Sequence, residues 1–479
     1  MYIMEIKIYL IVYCTFCFTV IWTMKYKAAV FVGLVATILY FDVSKEYKEQ
    51  IWQYSENLML WRTAESVLVD RFERLADKSQ ILVDSFFIGF NGNIDVILNG
   101  PNLLKNLGFT GDDITSKDKP VVSTVGDLAS VFTYYFKKET AAERAVVEES
   151  SWTEILDAIK EMKEKTNFIG GNAALIARTM SYNNIKIKLA VPGGPELIKQ
   201  LKEYGVNIME NCKQSYDELH VIMEYGVGEE FAGHNAKRAN RFIFSRDIAN
   251  SHMSATNCLT DEAVSGVDVV VIAGFHMLET LPTVQQQAVI NSVREKLSHH
   301  KKQTVHLELA SMTNRAFLLD LFNRLAVFSH SLGLNEAELD FLSVSLGGDR
   351  VDVEDVSSVK AALVLVLEKA GSESSLTRVH FHCLTYHIIL ERKGNWKNSA
   401  NSVAMGTYTA ARFACDTPTI VSSNHELRFM GTDVKPVITE EIGVYMIHTS
   451  PVLVCKKPLK TVGLGDSISA TGLLYTTKT

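Results

Sequence analysis

The sequence predicts an α/β protein in which a mostly parallel central sheet is covered by helices on both faces. Several short runs are apolar at nearly every position, and this pattern is typical of strands buried on both faces. Segments of helical length lie between these runs, at 172–183 and 281–300. The alternation of such strands with helices favours a parallel sheet. The first apolar run is 81–98, and Asn-Gly-Asn interrupts it. The others are Ile185–Val191, Val267–Phe275, Gln303–Leu309 and Arg324–Asn335.

Two stretches depart from this pattern and predict a second, smaller domain formed by insertions. Residues 110–165 are polar and charged, whereas 205–250 alternate apolar with polar residues, like antiparallel strands with one solvated face. We therefore expect a small α/β lid formed by 110–165 and 205–250. We expect the large domain to comprise 46–109, 166–204 and 251–479.

Composition restricts the class of protein. The chain has 479 residues, of which 47% are apolar, so it can form a large folded core. The net charge is −7 and no long basic run occurs, which argues against a nucleic-acid partner. Seven cysteines cannot all pair within one chain, and the sequence leaves open two disulfides, one or none.

Residues 1–45 differ from the rest because they contain two uncharged apolar runs, 8–24 and 28–41. A 17-residue helix spans roughly 26 Å, slightly less than a bilayer core. We expect this segment to be a signal-anchor or an uncleaved secretory signal that can insert in a membrane. A cleaved signal, a two-pass hairpin and a buried helix are the alternatives. The expected location is the secretory pathway, in the lumen of the endoplasmic reticulum, anchored or soluble, or outside the cell.

The segment "TVGLGDSISATG", residues 461–472, combines glycines with one aspartate, Asp466, before an apolar helix-like run. Glycines at the start of a helix let backbone N–H groups converge on an anion. A carboxylate there has the wrong charge for phosphate binding alone, but it can accept a proton from a hydroxyl that attacks a phosphoryl group. The alternative is that Asp466 only caps the helix.

Acidic residues follow two of the predicted strands, in "HLE" at 306–308 and "NEAE" at 335–338. Carboxylates at neighbouring strand ends can hold Mg²⁺ through water, because this ion prefers oxygen ligands and keeps part of its hydration shell. The alternatives are that Glu338 is a first-turn helix carboxylate and that Glu308 is satisfied within the protein.

Amide and carboxylate side chains beside glycines occur in "GFNGNID", with Asn91, Asn93 and Asp95, and in "FIGGNAALIA", with Gly171 and Asn172. Such groups suit a polyhydroxylated ligand, since each hydroxyl both donates and accepts. Turn and cap formation is the alternative. The sequence has no Walker motif, so phosphate binding must use another device.

In order along the chain, these motifs together with "AAER", "DELHVIMEY", "ANRFIFS" and "VVIAGFHML" resemble the eukaryotic ADP-dependent glucokinase family of the ribokinase-like sugar kinase superfamily. The resemblance extends from about residue 50 onward and implies a ribokinase-like fold. It implies that Asp466 is the catalytic base and that the backbone amides of Gly463, Leu464 and Gly465 form the anion hole. It also implies that Arg241, in the lid, reaches the nucleotide phosphates.

The resemblance further implies the reaction and its other residues. The β-phosphoryl group of ADP would pass to the 6-hydroxyl of glucose, with one Mg²⁺ per site, to give glucose 6-phosphate and AMP. The metal set would be Glu308, Glu338 and Asp466, with Glu336 a weaker substitute for one of them. The sugar set would be Asn93, Asp95, Glu143, Gly171, Asn172 and His220.

Substrate choice follows in part from this set. A carboxylate at Glu143 would repel a phosphorylated sugar and so favour glucose over fructose 6-phosphate, whereas the preference for ADP rests on the resemblance alone. We expect a monomer. The alternatives are a related kinase that uses ATP or another hexose, and a membrane-tethered sugar- or nucleotide-binding protein without catalysis.

Overall fold

The structure is a computed structural model that describes residues 63–111, 114–415, 417–428, 434–458 and 464–479, without the side chains of residues 464, 466 and 467. The predicted signal segment, 1–45, lies outside the described residues. Of the two compact units into which the chain divides, Val67–Thr479 contains all the strands described below. Within the described residues, none of the helices has both the length and the apolar character needed to cross a membrane.

The described strands alternate with helices along most of the chain. The strands are β1 (Ser85–Gly89), β2 (Asn93–Asn99), β3 (Val121–Val122), β4 (Ala142–Val146), β5 (Lys165–Gly170), β6 (Lys186–Ala190), β7 (Leu219–Tyr225), β8 (Glu230–Phe231), β9 (His234–Asn235), β10 (Asn240–Ser245), β11 (Val269–Ile272), β12 (Thr304–Glu308), β13 (Ser331–Asn335), β14 (Arg378–His382), β15 (Tyr386–Arg392), β16 (Trp396–Lys397), β17 (His425–Leu427), β18 (Ile438–Ile442), β19 (Tyr445–Pro451), β20 (Leu453–Cys455) and β21 (Thr477–Lys478).

The described helices are α1 (63–78), α2 (Gly100–Asn106), α3 (Val125–Lys138), α4 (Glu149–Glu161), α5 (Asn172–Ser181), α6 (Pro195–Glu203), α7 (Ile248–Ser251), α8 (Asp261–Val264), α9 (Thr283–Ser298), α10 (Arg315–Leu321), α11 (Glu336–Ser345), α12 (Val356–Ala370), α13 (Ser399–Cys415) and α14 (Leu464–Leu473). Short 3₁₀ segments occur at Glu210–Cys212, Ser254–Cys258 and Phe275–Thr280, and a π turn occurs at Phe322–Ala326.

The larger sheet of the described chain has nine strands in the order β18-β19-β15-β14-β13-β12-β11-β1-β6. The six strands from β6 to β14 are parallel, and β15, β19 and β18 extend the sheet in antiparallel pairs. Its central strands are buried at nearly every position, as in Phe86, Phe87 and Ile88 of β1. The predicted α/β class with a mostly parallel sheet is therefore confirmed.

The smaller sheet has six described strands in the order β3-β4-β10-β7-β2-β5. β7 and β10 are antiparallel, as the alternation within 205–250 predicts. β2 and β5 also belong to this sheet, so the chain leaves the larger sheet after Gly89 and enters the smaller one at Asn93. The observed position of β2 differs from the predicted one, because the prediction places all of 46–109 in the large domain. The apolar run of 81–98 is continuous in sequence, so it does not reveal that its two strands lie in different sheets.

The strand expected over Arg324–Asn335 is wrong in its first half. The chain continues from α10 into the π turn at Phe322–Ala326, and β13 begins only at Ser331. Both the backbone N–H and the hydroxyl of Ser329 donate to the carbonyl of Leu325, so they hold the chain in a helical turn before the strand.

The described cysteines form two disulfides, Cys212–Cys258 and Cys415–Cys455, and leave the thiol of Cys383 free. The second disulfide joins the end of α13 to β20, the last strand before the glycine-rich segment. Of the alternatives left open by the cysteine count, the described chain therefore has two disulfides.

Candidate active site

Two loops that follow β1 and β5 contact each other through glycines. Gly171 has φ of +82°, and a Cβ on it would lie 2.6 Å from the Cα of Gly92. Asn91 bonds across the same contact: its Oδ1 accepts from the backbone N–H of Ala173 at 3.2 Å, and its Nδ2 donates to Asn172 Oδ1 at 3.1 Å. Only glycine fits this approach, which brings both predicted sugar motifs together.

Three charged residues predicted around the sugar, and the arginine predicted to reach the nucleotide phosphates, share one face of the smaller sheet. Asp95 pairs in register with His220. Glu143 pairs with Ile243, which lies two residues after Arg241 on β10. Ile243 also pairs with Ile222, which lies two residues after His220 on β7. Since paired residues and residues two apart point to the same side, Asp95, Glu143, His220 and Arg241 face the same way.

The electrostatics of this face agree with its geometry. The pKa of Asp95 is raised overall, mainly by burial. The positive charge of His220 and a hydrogen bond from Asn93 lower it, whereas the charge of Glu143 raises it. Asn93 Nδ2 donates to Asp95 Oδ1 at 2.7 Å. Gly170 pairs with Asn93, and a Cβ on Gly170 would collide with the side chains of Asn93 and Asp95. This face therefore presents two acidic groups, an amide and an imidazole at the edge where the glycine loops meet.

Arg241 is exposed and borders a cavity of about 870 Å³ on the same sheet. Ile97, Thr166 and Glu224 also line this cavity. Ile97 lies two residues beyond Asp95 on β2, so the cavity continues the face that carries the predicted sugar residues. An exposed guanidinium beside an open cavity is available to an anionic ligand.

The predicted metal residue Glu308 ends β12 and is 1% exposed. His306 Nε2 donates to Glu308 Oε2 at 2.9 Å, while His382 Nε2 and Ser469 Oγ donate to Oε1 at 3.1 and 3.3 Å. Burial lowers the pKa of His306 despite the adjacent carboxylate, so its ring is neutral at pH 7. Ser331 Oγ lies 2.9 Å from His306 Nδ1 and accepts from Arg378 Nη1. These contacts require the tautomer of His306 that carries its proton on Nε2.

The other predicted metal residue, Glu338, belongs to a capping box at the start of α11. Its Oε2 accepts from the backbone N–H of Asn335 at 2.8 Å, its Oε1 accepts from Asn335 Nδ2 at 2.8 Å, and Asn335 Oδ1 accepts from the backbone N–H of Glu338. Glu336 is exposed in the same turn. The first-turn role considered for Glu338 is therefore present in the structure.

The described residues contain no group of three His, Cys, Asp or Glu side chains arranged to hold a metal ion. Glu308 and Glu338 follow neighbouring strands, and protein donors already occupy both carboxylates. The described residues thus do not form a set of direct ligands for a metal ion.

The glycine-rich segment is described only in part. Gly463 lies outside the described residues, as do the side chains of Leu464 and Asp466. The helix α14 starts at Leu464, and the backbone of Gly465 packs against the ring of His382. The first turn of α14 therefore lies next to the group formed by His306, Glu308 and His382.

Sequence analysis missed three polar residues that support the predicted sugar face. Asp247 lies 2.9 Å from His220, Asn250 bonds to Asp247, and Glu218 accepts from the backbone N–H groups of Ile248 and Ala249. A usable signal was present: Asp247 and Asn250 form an Asp-x-x-Asn motif directly after a strand, which is typical of a capped helix start.

Most of the chain matches one family of known proteins. Residues 84–475 match the profile of the ADP-specific phosphofructokinase/glucokinase conserved region. An ADP-dependent glucokinase from Bos taurus is 36% identical over 418 residues, which cover 81% of this chain and 83% of the relative. A probable ADP-dependent glucokinase from Caenorhabditis elegans is 31% identical, with 86% and 89% of the two chains covered.

Solved structures agree at the level of the fold. The crystal structure of a hypothetical ADP-dependent phosphofructokinase from Pyrococcus horikoshii OT3 superimposes with a TM-score of 0.66 at 20% identity, and covers 83% of this chain and 98% of that one. An ADP-dependent kinase solved with fructose 6-phosphate and ADPβS gives a TM-score of 0.60 at 18% identity. The family match covers most of the chain in one continuous range and confirms the resemblance found in the sequence. The chain belongs to the ADP-specific phosphofructokinase/glucokinase family.

Proposed function

We propose that this chain is an ADP-dependent glucokinase, which converts ADP and glucose to AMP and glucose 6-phosphate. One observation carries the proposal: Asn93, Asp95, Glu143 and His220 share one face of the smaller sheet, beside the contact between Gly92 and Gly171. This arrangement supplies acceptors and donors to several hydroxyl groups of one small ligand. The bovine and nematode relatives, both described as glucokinases of this type, support the same activity.

The two carboxylates of this face favour an unphosphorylated sugar. Asp95 and Glu143 interact electrostatically, and both contribute negative potential next to His220. A phosphate group brought against two carboxylates would be repelled, whereas a hydroxyl can donate to them. Glucose is therefore the better acceptor than fructose 6-phosphate.

The proposed chemistry uses the start of α14. The Asp466 carboxylate takes the proton from the 6-hydroxyl of glucose as O6 forms a bond to the β-phosphorus of ADP. The bond from that phosphorus to the bridging oxygen breaks, and AMP leaves. The backbone amides of Gly463, Leu464 and Gly465 stabilise the charge on the transferred group, and Arg241 contacts the nucleotide phosphates.

The proposed reaction includes one Mg²⁺ ion. The ion would be bound to the nucleotide phosphates, and Glu308, Glu338 and Asp466 would contact it through water, because Mg²⁺ keeps much of its hydration shell. It would neutralise phosphate charge during transfer. Glu308 and Glu338 favour this role because Glu308 ends β12 and Glu338 lies in the helix that follows the adjacent strand, β13.

The smaller sheet acts as a lid in this proposal. Residues 110–165 and 205–250, together with β2 and β5, would close over glucose and exclude water. Exclusion of water matters because a site that activates a hydroxyl would otherwise hydrolyse the nucleotide.

A panel of two nucleotides and several sugars tests the activity. The full chain is incubated with ADP or ATP and with glucose, mannose or fructose 6-phosphate, and the products are measured directly. We expect ADP with glucose to give the highest kcat/KM. Higher kcat/KM with ATP, or with another sugar, would instead indicate the related kinase considered above, and glucose binding without product would indicate a binding protein.

The proposed location is the endoplasmic reticulum or the exterior of the cell. The two disulfides favour an oxidising compartment, and the apolar runs within residues 1–45 favour membrane targeting. Protease protection of the full-length protein in microsomes tests this location. Digestion of the whole chain without detergent would contradict it.

A further inference from the structure

His220, a predicted sugar contact, is paired with an acidic residue from another part of the chain. His220 Nε2 lies 2.9 Å from Asp247 Oδ2, and the two side chains are 19% and 3% exposed. His220 lies on β7, and Asp247 follows the adjacent strand β10 by two residues. The imidazole therefore reaches the sugar face while its partner lies beneath it. No described residue bonds to the other ring nitrogen, Nδ1.

Asp247 is itself fixed by several donors. Asn250 Nδ2 donates to Oδ2 at 2.7 Å, and the backbone N–H of Asn250 donates to Oδ1 at 3.0 Å. The pKa of Asp247 is lowered overall. Burial raises it, but the hydrogen bond from His220 and the positive charge of that ring together lower it by more. Burial and the charge of Asp247 raise the pKa of the neighbouring Glu218 to about 8. The two shifts together favour a proton on Glu218 and the negative charge on Asp247.

The same group extends to the loop that joins the two sheets. Asn250 Oδ1 accepts from the backbone N–H of Gly92 at 3.2 Å, and Asn250 Nδ2 donates to the Gly92 carbonyl at 3.0 Å. Gly92 immediately precedes Asn93, and it contacts Gly171. Through Asn250, Asp247 thus connects His220 to the loop that orients the other predicted sugar contacts.

We propose that Asp247 is a positioning residue for the sugar site, which holds the His220 ring through Nε2 and so leaves Nδ1–H as a donor to a sugar hydroxyl. The proposal rests on the proposed function, since it assigns the hydroxyl to glucose. Burial lowers the pKa of His220, but Asp247, Asp95 and Glu143 raise it to about 9, so both ring nitrogens carry protons at pH 7. An imidazolium can donate to Asp247 and to the sugar at the same time.

Substitution of Asp247 by Asn separates this role from a structural one. Asn is as good an N-cap as Asp, and it keeps the size of the side chain, so α7 should be retained. The substitution removes the acidic charge that contributes most to the raised pKa of His220. We expect the KM for glucose to rise about 10- to 100-fold in Asp247→Asn, with little change in kcat, because the lost contact is made in both ground and transition states.

The matched control is Asp261→Asn. Asp261 also pairs with a histidine, His300, at 2.9 Å, but its side chain is 80% exposed. We expect glucose KM, kcat and thermal stability to match wild type in this control. An unchanged glucose KM in Asp247→Asn would overturn the proposal.

A double-mutant cycle with His220→Gln identifies the route of the effect. If Asp247 acts through His220, Asp247→Asn adds little to the glucose KM of His220→Gln. Full additivity of the two effects would show that Asp247 acts by another route and would overturn the proposal.

A measurement on the wild-type protein covers the case in which variants fail to fold. The ¹⁵N resonances of the His220 ring are followed by NMR against pH. We expect both ring nitrogens to be protonated at pH 7, and a neutral ring at that pH would overturn the proposal. The titratable and charged groups near the ring, which also affect this titration, are Asp95, Glu143, Glu218, Arg241, Asp247 and His276. A protein that shows this titration but phosphorylates no sugar would contradict the proposed function and leave the His220–Asp247 pair intact.

Discussion

Gly465 lies so close to the ring of His382 that a Cβ at residue 465 would be 2.5 Å from His382 Cε1. His382 is buried and donates to Glu308 at 3.1 Å, so it is held in place. Ser469, one turn further along α14, donates to the same carboxylate at 3.3 Å. The first turn of this helix is thus packed directly against the ends of β12 and β14.

Replacement of Gly465 by Ala should displace the first turn of α14 from this contact. Misplacement of catalytic groups by about 1 Å can cost on the order of 100-fold in rate, so we expect kcat to fall by about 10- to 100-fold. Glucose binding, measured by calorimetry, should stay close to wild type because the predicted sugar contacts lie on the smaller sheet. Gly126→Ala is the control, since its nearest contact is 3.6 Å away in an exposed helix turn. Wild-type turnover in Gly465→Ala would contradict the packing argument.

Replacement of Asp466 by Asn should remove the proposed base and keep the size of the side chain. General-base catalysis contributes about 10²- to 10⁴-fold, and we expect kcat to fall within that range. Glucose affinity should be unchanged, and both quantities can be measured on one preparation. The base assignment is wrong if Asp466→Asn turns over at the wild-type rate.

Removal of Mg²⁺ with a chelator should abolish ADP-dependent phosphorylation of glucose, and added Mg²⁺ should restore it. Glu338→Gln keeps the bond to the backbone N–H of Asn335, because Gln also serves at this position, and it removes the charge together with the acceptor for Asn335 Nδ2. We therefore expect the variant to need more Mg²⁺ for half-maximal rate and to stay folded at the assay temperature, as a melting curve can check. Glu336→Gln, in the same helix turn but exposed, is the control. An identical Mg²⁺ dependence in Glu338→Gln and wild type would exclude Glu338 from the metal site.

Stability should fall as the pH is lowered from about 6.5 to about 4. Burial lowers the pKa of His276 and of His330 to about 4, from an ordinary value of 6.5. At these two histidines the unfolded chain therefore binds more protons than the folded chain between these pH values, and acid favours unfolding. We expect the melting temperature to decrease across this window. His276→Leu should show a smaller decrease than wild type, and an equal decrease would mean that His276 does not contribute.

Several parts of the fold could be predicted because their signals are local. β11 is continuously apolar in the sequence, and it is a buried central strand of the larger sheet. The alternation in 205–250 predicts the antiparallel pair of β7 and β10. The Asn-x-x-Glu motif likewise predicts a helix start, which is present as the capping box of Asn335 and Glu338.

Other parts depend on contacts between distant residues. The ring of His382 reaches Glu308 from 74 residues away, and Asp247 meets His220 across 27 residues. Neither pair has a sequence signature, because the spacing of residues along a chain does not record which strands become neighbours. The disulfide partners are separated by 46 and 40 residues, and the number of cysteines alone leaves their pairing open.

The sequence by itself determined the α/β class, the family and the residue types of the site, because hydrophobic periodicity and short motifs are properties of consecutive residues. The tertiary structure alone decided that β2 lies in the smaller sheet, that Asp95 pairs with His220, and that the charge of Asp247 is buried behind that histidine. These relationships arise from strand order and register, which depend on the packing of the whole chain and not on any one segment.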